Sequence, residues 1–571
     1  MKLLPHEHAR LIEQAIRSAQ ADGELPVFEI PAIEIRPPKK ADQGDYACAV
    51  AMQLSKVAGK NPSDIASIIL KHLPQADFLS SAEVVKPGFI NFRLNDNWLR
   101  AQVETIINEG EALFQLEIGK GKRAQVEFVS ANPTGPLHIG RSRGAMVGDT
   151  IARLLEAAGY TVEREYYFNN AGVQMANLGN SMRIRYLEAL GVAVEIPGKD
   201  DKTFYHGEYL KDFARNLVTE QGDSLKADDW KPFKEYAEKR MFEIIKTTLK
   251  RVNIQHDVFF NENSLYESEA VWETLKKLED GGNIYSANVR ENASDEEREK
   301  GKNNAPAKWF RSSTYGDKED RVVVKSDGSP TYTLPDIAYH INKLERGFDL
   351  LVNILGADHI VEHQVVKYGL QALGLDTSPI HVIIIQFVRL IRGGEIDKMS
   401  TRSGNIETLD DLIDQTSPDV VRYILLARSA DSHLDFDLDL AVKQSNENPV
   451  YYIQNAYVRC AGIFREAEAR GVSDEGADVS KLGNAELRFL RKALELGDII
   501  ELAATQFEPH RIAFYAHELA STFHPIYDEV RALHGDVPLE LQKARLRFYR
   551  AAQVVLKRVL SLMGMSAPER M

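Results

Sequence analysis

The clearest alternation of apolar and polar positions runs through residues 126–160. Val126, Phe128 and Val129 form a short apolar run that predicts a buried strand. Pro133, Gly135 and Pro136 then interrupt regular structure. From Ile139 onward, Met146, Val147, Ile151, Leu154 and Leu155 recur at helical spacing until Gly159 closes the helix. A second strand follows at 161–168, which makes the unit β-α-β. Residues 350–355 and 381–388 predict two more strands. The latter is almost wholly β-branched, as a strand covered on both faces of a parallel sheet should be.

The flanks carry other patterns. Within residues 1–118, Leu4, Leu11, Ile12 and Ile16 share one helical face that ends at Asp22 and Gly23. A strand is expected over 28–35. A helix opens at Asn61-Pro62-Ser63-Asp64, with Ser63 or Asp64 near its cap, and a turn at 86–88 enters a strand at 89–92. Residues 185–325 read as an insertion. Within it, 233–252 is a helix packed on the core and the highly charged 291–302 is a solvated loop or frayed helix. Residues 410–426 predict one helix and 431–440 an acidic loop. From 448 the pattern is helical to the end. Lys543, Arg545, Arg547, Arg550, Lys557 and Arg558 stud the last helix with no acidic residue between them, a stripe suited to phosphates.

Composition narrows the class. A chain of 571 residues should hold three to five domains, and 44% apolar with 27% charged residues is ordinary for a globular protein. The net charge of −14 excludes general attraction to nucleic acid, so any such partner must meet a local concentration of basic residues. Two cysteines, Cys48 and Cys460, cannot build a zinc knuckle or a disulfide framework; no zinc is expected. No apolar run approaches the roughly 20 residues that span a bilayer, and no signal core opens the chain, so a cytoplasmic protein is expected.

The strand–turn–helix at 126–160 points backbone N–H groups and the positive end of a helix dipole at one spot. His138 and Gly140 sit at that helix start. Neither the dinucleotide G-x-G-x-x-G nor a P-loop G-K-[ST] is present. His138-Ile139-Gly140-Arg141 resembles the H-x-G-H signature of class I aminoacyl-tRNA synthetases. The wider S-A-N-P-T-G-P-L-H-I-G is similar to the arginyl-tRNA synthetases among them. Asp397-Lys398-Met399-Ser400-Thr401-Arg402-Ser403-Gly404-Asn405 resembles the K-M-S-K-S loop. Two ordered signatures a few hundred residues apart are far more specific than either alone.

The resemblance implies an α/β fold: a Rossmann-like doubly wound parallel sheet split by the insertion, with an N-terminal α/β accessory domain and a C-terminal all-α anticodon-binding domain. The expected domains are 1–118, gripping the outer corner of tRNA; 119–395, catalytic; 396–448, the signature loop and stem contact; and 449–571, anticodon-binding. The implied reaction activates L-arginine with ATP and Mg2+ to arginyl-adenylate, only with tRNA bound, and transfers arginine to the terminal ribose of tRNA(Arg). Such chemistry needs positioning and charge stabilisation rather than a covalent nucleophile. It assigns His138 and Lys398 to catalysis; His138, Gly140, Arg141, Asp358, His359, Lys398, Met399, Ser400 and Arg402 to ATP; and Glu127, Ser130, Asn132, Tyr332 and Asp336 to arginine. Glu127 and Asp336 are the carboxylates facing the guanidinium, a planar fork of five donors. Phe89, Asn91, Tyr452, Arg459 and Met571 fall at tRNA-binding positions. Arg141 stands where the signature has its second His, Thr401 where it has its second Lys, Asn170 where the family has Asp, and Asn455 where many relatives have an aromatic. A monomer without an editing site is expected, because carboxylates built for a guanidinium are left unpaired by smaller amino acids. The alternatives are a catalytically silent tRNA-binding paralogue and a small-molecule adenylyltransferase; the long helical C-terminal half opposes the second.

Overall fold

The computed structural model describes residues 3–38, 40–198, 200–291, 293–396 and 408–571. The chain forms two compact units, Met1–Glu117 with Gln444–Met571, and Ile118–Lys443. In the first, α1 (Leu4–Ala21) buries Leu4, Leu11, Ile12 and Ile16 and has Asp22 at its C-cap. The strand expected over 28–35 shrinks to β1 (Ile35–Arg36), preceded by an extended segment with no ladder partner. Pro26 and Pro31 lack the N–H that a ladder needs. β1 joins β2 (Tyr46–Cys48); α2 (Val50–Ala58) and α3 (Pro62–Lys71) follow. The cap of α3 is Asn61, whose side chain accepts the Ser63 N–H, rather than Ser63 or Asp64. Pro62 occupies the first helical turn, which moves the cap ahead of it. β3 (Leu79–Val85) and β4 (Phe89–Leu94) complete an antiparallel sheet in the order β1-β2-β4-β3, and α4 (Asp96–Glu109) ends this part.

The second unit begins with β5 (Arg123–Glu127), α5 (Ile139–Ala157), β6 (Thr161–Phe168) and α6 (Gly172–Ala189). α7 (Glu208–Gln221), α8 (Lys231–Arg251), β7 (Val258–Asn261), α9 (Asn263–Glu267) and α10 (Ala270–Asp280) follow. β8 (Ile284–Ala287), α11 (Asp295–Gly301), β9 (Ala307–Phe310) and β10 (Arg321–Val324) lead to α12 (Thr333–Glu345), β11 (Leu350–Gly356), α13 (Ile360–Ala372) and β12 (Ile380–Ile385). Five strands form one parallel sheet in the order β12-β11-β5-β6-β7. The order reverses between β5 and β11, so the ends of those strands frame the crevice where such sheets bind ligands. β7 lies inside the stretch read as an insertion yet belongs to this sheet, while β8, β9 and β10 form a small antiparallel sheet of their own. The charged 291–302 segment holds α11, nucleated by a capping box between Ser294 and Glu297.

Beyond β12 the structure departs from the expected pattern. β12 stops at Ile385 because the Gln386 N–H turns away to the Ala430 carbonyl; β13 (Val388–Arg392) and β14 (Glu395–Ile396) follow. The single helix expected over 410–426 is two, α14 (Leu409–Gln415) and α15 (Pro418–Leu426), because Pro418 cannot continue a helix and Ser417 caps the next one. The expected acidic loop contains β15 (Leu434–Asp437), with Leu434 and Phe436 inward and the aspartates outward, parallel to β13, and α16 (Leu438–Ala441).

The first unit resumes with α17 (Pro449–Ala469), α18 (Asn484–Leu494), α19 (Leu496–Gln506), α20 (His510–Glu529) and α21 (Leu539–Leu562). The basic stripe on α21 is turned toward carboxylates. Arg547 grips Glu104 of α4 through two bonds and reaches Asp474; Arg550 forks onto Asp474 at 2.8 and 2.9 Å. Lys557 pairs with Glu111 at 2.7 Å, Arg558 donates to the Leu113 carbonyl, and Arg545 meets the buried Glu486. The sequence stretch contains no acids because its acids come from α4, from α18 and from neighbouring loops. The expected phosphate-facing stripe is thus a staple between the N- and C-terminal segments of this unit.

Candidate active site

β5 ends at Glu127, and the chain then passes through Val129 and Ser130 at φ 71° and 42°. A β-branched residue in that region is strained. The strain turns the chain off the sheet and into the loop before α5. There His138 is the N-cap, and its Nδ1 accepts the Gly140 N–H at 3.0 Å. That bond leaves the neutral ring's proton on Nε2, a donor facing solvent at the helix mouth. A Cβ on residue 140 would sit 3.2 Å from the His138 Nδ1, so glycine here lets the cap close. Arg141 is exposed on the first turn, with Nη1 3.5 Å from the Val129 carbonyl. Its neighbour Arg143 is fully buried and binds the carbonyls of Gln386, Arg428, Ser429 and Ser432, a structural tie. The mouth also anchors the exit of the second signature: His138 bridges Thr408, and the Leu409 N–H donates to the Leu137 carbonyl at 2.8 Å. Lys398, Met399, Ser400, Thr401 and Arg402 lie outside the described residues, as does the side chain of Asp358. His359 meets Glu362 at 3.1 Å at the start of α13.

Glu127 lies close enough for its charge to act on Asp336, and the two carboxyls are differently partnered. Glu127 is 6% exposed; its Oε2 receives the Lys343 Nζ at 2.6 Å and its Oε1 the Ser130 hydroxyl at 2.9 Å. Burial works to raise its carboxyl, yet the Lys343 ammonium and the bonds from Lys343 and Ser130 outweigh that and hold it below the usual carboxylate range. Asp336, in the first turn of α12, is half-buried, and among the described residues its carboxyl has no hydrogen-bond or ion-pair partner. Burial, then the charges of Glu262, Glu127 and Glu362, push it well above the usual range against the pull of Lys343. Ser130 and Asn132 spend their side chains inside the protein. Ser130 Oγ also accepts the Tyr167 N–H, and Asn132 accepts the Asn169 N–H and donates to Gln174. Tyr332, immediately before α12, is 75% exposed.

Sequence reasoning missed Glu262. It is buried just past β7, with Tyr167 donating to one oxygen and Asn169, at 2.7 Å, to the other. Burial raises its carboxyl against those two bonds. No local pattern marks a single Glu in a stretch read as an insertion. Lys343 was legible in principle, because it lies seven residues after Asp336 on the same face of α12. The resulting cluster of Asp336, Glu127 and Glu262 is acidic, and the start of α5 in the same unit offers N–H donors. Together they suit a ligand with a cationic fork at one end and an anion at the other.

Three family models cover the chain. They are the arginyl tRNA synthetase N terminal domain over residues 6–94, the catalytic domain of class I (R) tRNA synthetases over 102–428 and the DALR anticodon binding domain over 453–571. The chain is 41% identical to an arginine–tRNA ligase of Heliobacterium modesticaldum across 98% of both, and 42% identical to that of Carboxydothermus hydrogenoformans across 97% of both. The chain belongs to the arginyl-tRNA synthetases. A putative arginyl-tRNA synthetase structure from Campylobacter jejuni matches with a TM-score of 0.73 at 32% identity, covering 84% of this chain and all of that one. The Thermus thermophilus arginyl-tRNA synthetase shares the fold, with a TM-score of 0.73 at 20% identity over the whole of both chains. The class I sheet, N-terminal domain and helical C-terminal domain of this synthetase are those expected.

The synthetase's remaining candidates lie in the first unit. Phe89 and Asn91, on β4, line a cavity of about 430 Å³ with Gln43, Val50 and Gln53. Asn91 is 3% exposed; it donates to the Gln43 carbonyl while its Oδ1 is unpartnered. On α17, Tyr452 packs against His517 and His524, and Arg459 lies over the Tyr527 ring at 4.5 Å and donates to His524. The tail is held along α17 by Gln454 and Arg465, leaving Met571 exposed. Among the described residues no group of His, Cys, Asp and Glu is arranged to hold a metal ion, and no helix is long and apolar enough to cross a membrane.

Proposed function

We propose that this synthetase is an arginine–tRNA ligase that activates L-arginine with ATP and transfers it to the 3′-terminal adenosine of tRNA(Arg). The carrying observation is the Asp336 carboxyl with no partner among the described residues, close enough to the end of β5 for Glu127 to act on it, where the chain turns into the loop before α5. A bidentate carboxylate is the natural partner of a guanidinium, and amide-rich helix starts are the natural partners of phosphates. In this reading Asp336 takes the guanidinium, with Glu262 adding negative charge and exposed Tyr332 flanking it. Ser130 acts indirectly, by orienting Glu127. Asn132 is fixed by Asn169 and Gln174, and its place beside the substrate's backbone end rests on the family motif.

The arginine carboxylate attacks the α-phosphate of ATP, and pyrophosphate leaves. His138 Nε2–H and the first amides of α5 stabilise charge on the phosphoryl oxygens, Gly140 keeps that approach open, and Arg141 adds a nearby cation. The Asp358–His359 segment at the end of β11 borders the ribose and adenine. Lys398 and Arg402, with Met399 and Ser400 beside them, are proposed from the signature alone to meet the leaving pyrophosphate. Magnesium is proposed to arrive as part of Mg–ATP. Phe89 with Asn91 takes an unstacked base of the tRNA corner, and Tyr452, Arg459 and Met571 meet the anticodon loop. A cytoplasmic monomer completes the reading.

ATP–pyrophosphate exchange assayed with arginine, with and without tRNA(Arg), tests it. Exchange should require arginine and tRNA together. Exchange without any amino acid, or with lysine as well as with arginine, would overturn it.

A further inference from the structure

α14 is a short helix that stands at the mouth of α5. Leu409, Leu412 and Ile413 bury its inner side, and it packs on α5 and α15. Thr408 caps it through a capping box: its hydroxyl and its N–H both donate to the Asp411 carboxylate, and the Asp411 N–H donates back to the hydroxyl at 3.1 Å. The cap is also where the helix meets the first signature. Thr408 bridges His138, and the Leu409 N–H donates to the Leu137 carbonyl. The second signature ends at Asn405, just ahead of this cap.

A helix this short gains few backbone bonds for the dihedrals it fixes, so its placement depends on what holds it from outside. That hold comes from the end of α8. Arg251 sends one guanidinium nitrogen to Asp410 and the other to Asp414, and Thr248 donates its hydroxyl to the other oxygen of Asp410. Asp410 and Asp414 lie one turn apart on the same face of α14. A single contact leaves a helix free to rotate about it; two contacts one turn apart fix its position and its rotation together. The turn just past α8 is tied in turn to α5. Arg153 of α5 binds Asp149 and the Asn253 carbonyl, and Arg422 of α15 reaches Asp149 and the Val252 carbonyl. So α5 holds the end of α8, α8 holds α14, and α14 returns to the first residues of α5.

The side chains of Arg251, Asp410 and Asp414 are 34%, 30% and 67% exposed. Ion pairs this open contribute little to stability. Their consequence is geometric. We propose that Arg251 is a positioning residue for the activation step. Through α14 it sets the backbone of Leu137 and His138, and so aims the His138 ring and the first amides of α5 at the triphosphate. This rests on the assignment of the α5 mouth to ATP made above. Donors stabilise developing charge only if they are held in place beforehand. A displacement of about 1 Å, caused far from the chemistry, can cost about 100-fold in rate.

Steady-state aminoacylation by the full chain, with ATP, arginine and tRNA(Arg) varied in turn, tests this alongside melting temperatures. Arg251→Met, Asp414→Asn and the two combined are compared with the parent. Arg251→Met should lower kcat/KM for ATP about tenfold, mostly through kcat, with KM for arginine and for tRNA within about twofold. Its melting temperature should stay within about 3 °C of the parent's. Asp414→Asn removes one of the two contacts and should lose about threefold. The combined variant should lose no more than Arg251→Met alone, because Asp414 acts through Arg251. Losses that multiply in the combined variant make the two residues independent and overturn the proposal. A rise in tRNA KM with kcat intact overturns it by making Arg251 a tRNA contact. His138→Asn separates this proposal from the reading beneath it. Parent-like kinetics for Arg251→Met beside an impaired His138→Asn sink the positioning role alone, whereas parent-like kinetics for both sink the assignment of the α5 mouth to ATP. Should Arg251→Met fail to fold, Asp414→Asn decides: the threefold loss supports the proposal and an unchanged kcat/KM for ATP overturns it.

Discussion

The two ring nitrogens of His138 face different partners, and substitutions separate them. Nδ1 closes the N-cap of α5 on Gly140, which leaves Nε2–H on the exposed side of the ring at the helix mouth. Asparagine at 138 keeps a capping acceptor but loses the second donor. His138→Asn should therefore melt near the parent temperature while kcat for aminoacylation falls by about 10²–10³, the usual consequence of losing one well-placed donor to a developing charge. His138→Ala should lose the same rate and also about 1 kcal/mol of stability with the cap. Parallel rate and stability losses in both variants would reduce His138 to a helix cap. The motif H-I-G was readable as a phosphate site because of its strand–turn–helix setting. Its capping role was not, since that depends on a side-chain rotamer closing on the amide two residues ahead.

At the scale of one helix, α12 carries the pH response. The Asp336 carboxyl is raised well above its ordinary value by burial and by the charges of Glu262, Glu127 and Glu362. A carboxyl raised on folding contributes stability that is full at low pH and is lost as pH rises through the raised value. Arginine reverses that loss, because its guanidinium favours the charged carboxylate and expels the proton. The other titratable groups around it are Lys343, His340 and Tyr339 on α12, His363 on α13, Tyr167 on β6 and Tyr266 on α9. Burial, Lys343 and His363 keep His340 neutral. Arginine KM should therefore fall as pH rises above the ordinary carboxyl range and through the raised value, by at most about tenfold per unit for one proton. The melting-temperature gain from saturating arginine should grow over the same range. Asp336→Asn should flatten both profiles; a KM that is flat or rises with pH in the parent protein contradicts the assignment. α12 shows what a sequence pattern discloses and what it leaves out. Asp336 stood out beside Pro335 in a recognisable motif. Lys343 looked like an ordinary helix lysine, because its partners Glu127 and Asn353 lie 216 and 10 residues away along the chain and meet it only once the sheet is assembled.

Across the whole molecule the same limit governs the α21 cations. Sequence showed six basic residues with no acid among them on a chain of net charge −14, and the natural inference was a phosphate track. The acids that answer them lie elsewhere in the chain, as with Glu104 of α4, Asp474 in a loop and Glu486 of α18. Periodicity reports which face of a helix is polar, not which partner it meets. In the fold, Arg547 and Arg550 hold Glu104 and Asp474 below the usual carboxylate range, Glu104 chiefly through its bonds to Arg547 and Asp474 chiefly through its bonds to Arg550. Those carboxylates contribute stability above their unfolded values that is lost as pH falls through the folded ones. Arg547→Met with Arg550→Met should accordingly cost about 1–3 kcal/mol, since it strips partners from two half-shielded acids. The loss should shrink in molar salt, which screens such pairs. Phosphate contacts predict something else: each one lost reduces the salt slope of tRNA binding by about one and raises tRNA KM. With these arginines committed to Glu104 and Asp474, tRNA KM and its potassium chloride slope should stay unchanged while the melting temperature drops. A double variant that melts like the parent yet needs tenfold more tRNA would return α21 to the nucleic-acid interface and leave the staple without a role.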